Sequence, residues 1–214
     1  MTGLLICTAL GIEARAVRRG LAAASKEVQV MRTGPGPCRA ASAAGDLPGY
    51  GALAVVGFGG ALDPSLRPGD VLVAREVLFG DRVFACASAP SLAEELVRAG
   101  LPARTGRLLT CDHVVTGTER ARLAAGGAHA VDMETGPLAA ASAGRPLAAV
   151  RVIVDTPGAP LLSLATIRGG ASARRALRRL GPALTRWASC VDPRIVRGVA
   201  QETIRFSHGK EVLS

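Results

Sequence analysis

Short apolar runs alternate along the chain with segments whose apolar residues recur at helical spacing, and this alternation predicts the elements. "LLICTA" (4–9) reads as a strand, followed by a helix from Glu13 to Ala24. "VQVMRT" (28–33) is a second strand, leading through a "GPGP" turn into an Ala-rich helix over 38–46. "ALAVVGF" (52–58) is apolar without interruption, which predicts a strand buried on both faces. Strands at 69–79 and 82–87 precede a helix over 91–100, a strand at 107–112 and a helix over 117–125. A short strand at 129–133, a helix over 134–143, a strand at 147–155 and a long helix over 170–190 complete the series. The alternation implies one α/β domain over residues 1–190, with a mixed, mainly parallel central sheet flanked by helices. The pattern stops near Val191, so 191–214 reads as a loosely held C-terminal tail.

Composition narrows this picture. The 214 residues are 49% hydrophobic but only 3% aromatic, so Ala, Leu and Val must build the core. No apolar run approaches the roughly 20 residues that span a bilayer. The first residues lack the basic start and apolar core of a signal peptide. Five cysteines, scattered and without CxxC spacing, fit reduced thiols in a cytoplasm and give no zinc site.

The net charge of +9 is concentrated at one end. Residues 168–214 hold ten basic and three acidic side chains, against sixteen and fourteen in residues 1–167. A basic body would point to nucleic acid; a basic end does not. Arg174, Arg175, Arg178 and Arg179 share one helical face opposite Leu177, Leu180, Leu184 and Trp187. That face is read as solvated, with contact to an anionic membrane surface or partner as the alternative.

In folds of this class ligands collect at the carboxyl ends of the strands. Glu13 follows the first strand there, Gly34 and Gly36 the second, and Gly57, Gly59 and Gly60 the third. Asp112, the pair Asp132 and Glu134, and Asp155 follow later strands. Acids and glycines suit a site that binds hydroxyls and handles protons. GxxxxGK[ST], HExxH and GxSxG are all absent, so P-loop, zincin and serine-hydrolase chemistry have no support. The acids lack metal-ligand spacing with histidine, and neither a metal nor an organic cofactor is expected.

Four segments carry a resemblance. "VGFGGALDPSLRPGDVLVA" (56–74) resembles the glycine loop of the nucleoside phosphorylase and nucleosidase superfamily, a strand and small-residue turn followed by "GLxPxLxxGD". "AVDMETGPLAAAS" is similar to its "VDMES" segment, "VRVIVDTPG" to its "R(V/A)ISD" strand end, and "TGPGPCRAASAA" to its "SGxGKxxAA" turn. They occur in the family's order across residues 1 to about 185.

The resemblance implies roles. Glu134 would accept hydrogen bonds from the ribose 2′ and 3′ hydroxyls, with Met133 packed on the sugar; an ionised carboxylate can bind two vicinal donors. Asp132 is open between capping the turn and touching ligand. Asp155 would protonate the purine at N7 and so improve the leaving group. Thr156–Ser163 corresponds to a flap over the base. Val114 and Val115 would frame the base where relatives place an aromatic, which favours adenine read by backbone groups. His113 is read as a surface or capping residue.

What attacks the sugar decides between hydrolysis and phosphorolysis. The family's phosphate anchors correspond here to Val55, Phe58 and "ALGIEA", and none is cationic or a serine. Hydrolases of the family carry a water-activating Glu in the first turn, which Glu13 matches. Phosphate beside Glu13 and Glu134 would be repelled unless Arg15, Arg39 or a neighbouring subunit supplied charge. The resemblance therefore implies a purine nucleosidase acting on a 5′-substituted adenosine, most similar in spacing to hopanoid-associated members that convert adenosylhopane to ribosylhopane. A phosphorylase, a futalosine or methylthioadenosine/S-adenosylhomocysteine nucleosidase, and a non-catalytic nucleoside-binding partner are the alternatives. A homodimer is implied by the family, with a small purine nucleoside as the partner molecule and no nucleic acid.

Overall fold

The computed structural model describes residues 3–21, 27–156 and 171–191. Its order is β1 (Leu4–Thr8), α1 (Gly11–Gly20), β2 (Val28–Arg32), α2 (Pro37–Gly45), β3 (Ala52–Ala61), β4 (Val71–Phe79) and β5 (Arg82–Ala85). There follow α3 (Ala89–Arg98), β6 (Ala103–Thr110), α4 (Gly117–Ala125), β7 (Ala130–Asp132), α5 (Thr135–Ala141), β8 (Leu147–Asp155) and α6 (Ala171–Cys190). Each predicted strand and helix is present. The flap segment beyond Thr156 and the tail beyond Val191 lie outside the described residues.

All strands join one mixed sheet in which five of the eight pairings are parallel. Its backbone is β3, whose first residues pair with β1 and whose last, Gly60 and Ala61, pair with β7. The opposite edge of β3 runs along β8 for its whole length. Strand β8 also pairs with β4, and β4 connects through β6 back to β7. β3, β8, β4, β6 and β7 thus close into a ring, with β1 and β2 extending from β3 and β5 from β4. Closure brings the end of β7 back beside the ends of β1, β3 and β8.

The core follows the apolar pattern. β1 is buried at every residue, as a parallel strand covered on both faces must be. Helix α1 buries Ala14, Ala16 and Val17 and exposes Arg15, Arg18 and Arg19. Helix α6 sinks Leu177, Leu180, Leu184 and Trp187 into the core while Arg174, Arg175, Arg178 and Arg179 stay exposed, as its sequence predicts. α1 and α6 touch backbone to backbone at Gly20 and Gly181. The Trp187 indole N–H donates to Ser88 Oγ at 2.7 Å and ties α6 to the start of α3.

Candidate active site

Glu13 stands in the first turn of α1 and is 2% exposed. Its Oε2 accepts the Leu10 N–H at 2.8 Å, one half of a capping box, and its Oε1 accepts the Phe58 N–H from β3 at 2.8 Å. The carboxylate therefore bridges a helix start and a strand end through main-chain donors alone. Burial pushes its carboxyl above the ordinary glutamate range. The two N–H donors and nearby Arg151 oppose that shift, and the charge of Glu134 adds to it.

The glycines beside it do something other than turn the chain. The sequence places a loop after residue 58, whereas β3 continues extended to Ala61 because β8 and β7 pair with it there. What the glycines supply is space. A Cβ on Gly57 would lie 2.8 Å from both Glu13 Oε1 and Arg151 Nη1, and one on Gly60 would lie 2.8 Å from Asp155 Oδ1.

Asp132 and Glu134 separate at the end of β7. Asp132 Oδ1 accepts the Thr110 hydroxyl at 2.6 Å. Its Oδ2 accepts the Thr135 N–H at 3.1 Å and Arg151 Nε at 2.8 Å, and also meets the Thr135 hydroxyl and Arg151 Nη2. Arg151 is only 2% exposed. Asp132 is thus an internal brace with both oxygens engaged by protein. Glu134, two residues on, is half-buried, and its Oε1 accepts the Gly36 N–H at 2.8 Å. Gly36 has φ +89°, the left-handed region in which glycine is unstrained. Burial raises the Glu134 carboxyl too, against the pull of Arg151 and the Gly36 N–H.

Asp155 ends β8, buried, and forms an ion pair with Arg120 of α4. Val115 is buried against Leu62, Ala128 and Val131, while Val114 is 53% exposed. His113 is exposed, with Nδ1 at 2.6 Å from Asp112 and Nε2 at 3.1 Å from Glu119. Those two carboxylates, Asp112 first, raise its pKa.

These groups surround one cavity of about 200 Å³. Glu13, held at Phe58, and Asp155, beside Gly60, both line it, together with Met133, Glu134, Val114 and Val115, and so do Asp132 and His113. Of the sequence-predicted site residues only Gly57 stays behind the wall. Arg120 lines the cavity as well and was not anticipated. Among the described residues, no cluster of His, Cys, Asp or Glu is arranged to hold a metal ion.

Residues 12–183 match the family model of the Phosphorylase superfamily. The chain belongs to this superfamily. No curated protein matches its sequence. Among solved structures, futalosine hydrolase of Helicobacter pylori is similar with a TM-score of 0.74 at 16% identity, covering 86% of this chain and 97% of its own. The 5′-methylthioadenosine/S-adenosylhomocysteine nucleosidase of Campylobacter jejuni gives 0.73 at 16% identity, covering 89% and 100%. The nucleosidase of Colwellia psychrerythraea, solved with adenine, gives 0.70 at 19% identity, covering 86% and 96%. These likenesses establish the fold.

Among the described residues the buried cations near the cavity are already engaged. Arg151 is held by Asp132, and Arg120 by Asp155. Arg15 points outward with Arg18, Arg19 and Arg32, and Arg39 packs beneath Gly34; neither lines the cavity.

Proposed function

We propose that this superfamily member is a purine nucleosidase that hydrolyses the N-glycosidic bond of a 5′-substituted adenosine and releases adenine. The observation that carries the proposal is that Glu13, Glu134 and Asp155, from three distant parts of the chain, line one cavity. As the C1′–N9 bond breaks, its electrons pass to the base and Asp155 gives a proton to N7. Water adds to C1′, and its proton goes to Glu13, whose raised pKa suits a base working nearer neutrality. Glu134 accepts the ribose hydroxyls and faces the positive charge that develops on the sugar. The solved relatives support this reading, since their names are those of hydrolases and nucleosidases and one holds adenine.

Hydrolysis is favoured over phosphorolysis because the cations at the cavity are committed to Asp132 and Asp155. Among the described residues no uncommitted cation lines the cavity to offset the repulsion between a phosphate dianion and Glu13 and Glu134. Leu10, Pro35 and Met133 make the wall near the two glutamates apolar, which fits a large apolar 5′ group. Adenosylhopane, giving ribosylhopane, is the substrate of that kind that the sequence resemblance names. The arginine face of α6 would then meet the anionic surface from which such a lipid is drawn. No helix among the described residues is long and apolar enough to cross a membrane. A cytoplasmic homodimer completes the proposal.

The test is release of the purine base from 5′-methylthioadenosine, futalosine and adenosylhopane, with and without phosphate. Release of base together with the 5′-substituted ribose in phosphate-free buffer is expected, and Glu13→Gln should lose roughly 10²-fold or more. Turnover only with phosphate, yielding a ribose 1-phosphate, would identify a phosphorylase instead.

A further inference from the structure

An arginine of α4 adds a part to this site. Arg120 is the fourth residue of α4, a helix whose sequence "GTERARLAA" is otherwise solvated, yet its side chain is 6% exposed. A cation is buried only where its donors are matched. Arg120 Nε donates to the Val115 carbonyl at 3.0 Å, Nη1 donates to the Ala61 carbonyl at 3.3 Å, and Nη2 meets Asp155 Oδ2. The first two acceptors are main chain, one after β6 and one at the end of β3. They fix the fork independently of Asp155.

We propose that Arg120 is the positioning residue of the base-protonating acid. It rests on the nucleosidase reading and deepens it. With Oδ2 on the guanidinium, the other oxygen, Oδ1, lies over Gly60, in the space that a missing Cβ leaves. Oδ1 is therefore the oxygen presented to the purine. Asp155 stands as the carboxylate of this ion pair and takes up a proton from solvent as the nucleoside binds; when the C1′–N9 bond breaks and that proton passes to N7, the carboxylate is restored. Its new charge develops beside a cation already in place, through a charge-assisted hydrogen bond that needs no reorganisation. The proton that Glu13 takes from water returns to Asp155 through solvent, and the cycle closes.

The experiment uses two probes, 5′-methylthioadenosine and a 4-nitrophenyl riboside, whose phenolate departs without being protonated. Arg120→Met should lower kcat on the purine riboside by roughly 10²-fold, the scale of a proton-transfer contribution, while KM changes less than about threefold. On the nitrophenyl riboside the same variant should stay within about threefold of the parent protein, which also shows that it is folded. Arg120→Lys, which keeps the charge but not the fork, should recover part of the purine activity. Arg120→Met with Asp155→Asn should be no slower than Asp155→Asn alone, because the two act as one unit. Equal losses on both probes, an unchanged purine rate, or additive losses in the double variant would overturn the assignment. A parent protein that cleaves the nitrophenyl riboside but no purine riboside would instead remove the purine nucleosidase reading, and Arg120's role with it.

Discussion

Asp132 and Glu134 stand two residues apart and both line the cavity, yet one is spent on the protein and the other is left for a ligand. Asp132 is surrounded by Arg151, Thr110 and Thr135, so its charge is neutralised and both oxygens have protein donors. Glu134 and Glu13 are held by main-chain N–H groups of Gly36, Leu10 and Phe58. A neutral donor orients a carboxylate without cancelling it. Arg151 attracts both glutamates without a hydrogen bond to either, so their negative charge stays available to a sugar that becomes positive. Asp155 follows the first pattern again, matched to Arg120. Two kinds of acid, distinguished by what holds them, divide the site.

Breaking the brace should have the largest effect. Asp132→Ala leaves Arg151 buried and unpaired, and should cost about 3–5 kcal/mol in urea unfolding. Glu134→Gln keeps an acceptor for the Gly36 N–H and removes a charge disfavoured by burial, so it should lose activity without losing stability. Similar unfolding midpoints for the two variants would erase the distinction between the two acids.

Next comes a shift in pH dependence. Glu13 must be ionised to take a proton, and burial holds its pKa up, so kcat/KM should fall on the acid side with a midpoint above the ordinary value of about 4.3. Glu134 adds to that rise, so the residual activity of Glu134→Gln should show the midpoint moved to lower pH. A midpoint that moves upward would mean that another group governs the limb.

The smallest change is expected at His113. It is exposed and both ring nitrogens face surface carboxylates, so His113→Gln should alter kcat/KM by less than about threefold. His113 lines the cavity, and a larger loss would give it a part in the reaction.

The order of elements was readable because each buried strand is an apolar run and each helix has one apolar face. Glu13, Glu134 and Asp155 were readable too, because an acid after an apolar strand has no structural reason to recur. The glycines of β3 misled, since Gly57, Gly59 and Gly60 carry the local signature of a turn. Pairing with β7 and β8, strands far along the chain, holds them extended instead. The sequence places Asp132 in the strand and Glu134 at the start of the helix, and the structure ends β7 at Asp132 with Glu134 at φ −129°, ψ −24°, so the two diverge. Arg120 left no trace in the pattern. Its helix reads as charged, and its burial is set by a carbonyl at Ala61 and a carboxylate at Asp155.

The meeting of Gly20 with Gly181 has a consequence for how the molecule is made. The first helix has its packing partner in the last one described, so a nascent chain cannot cover the inner face of α1 until α6 has been translated and has left the ribosome. A stop codon introduced before residue 171 should therefore give a product that is retained by chaperones or degraded, however complete its catalytic groups.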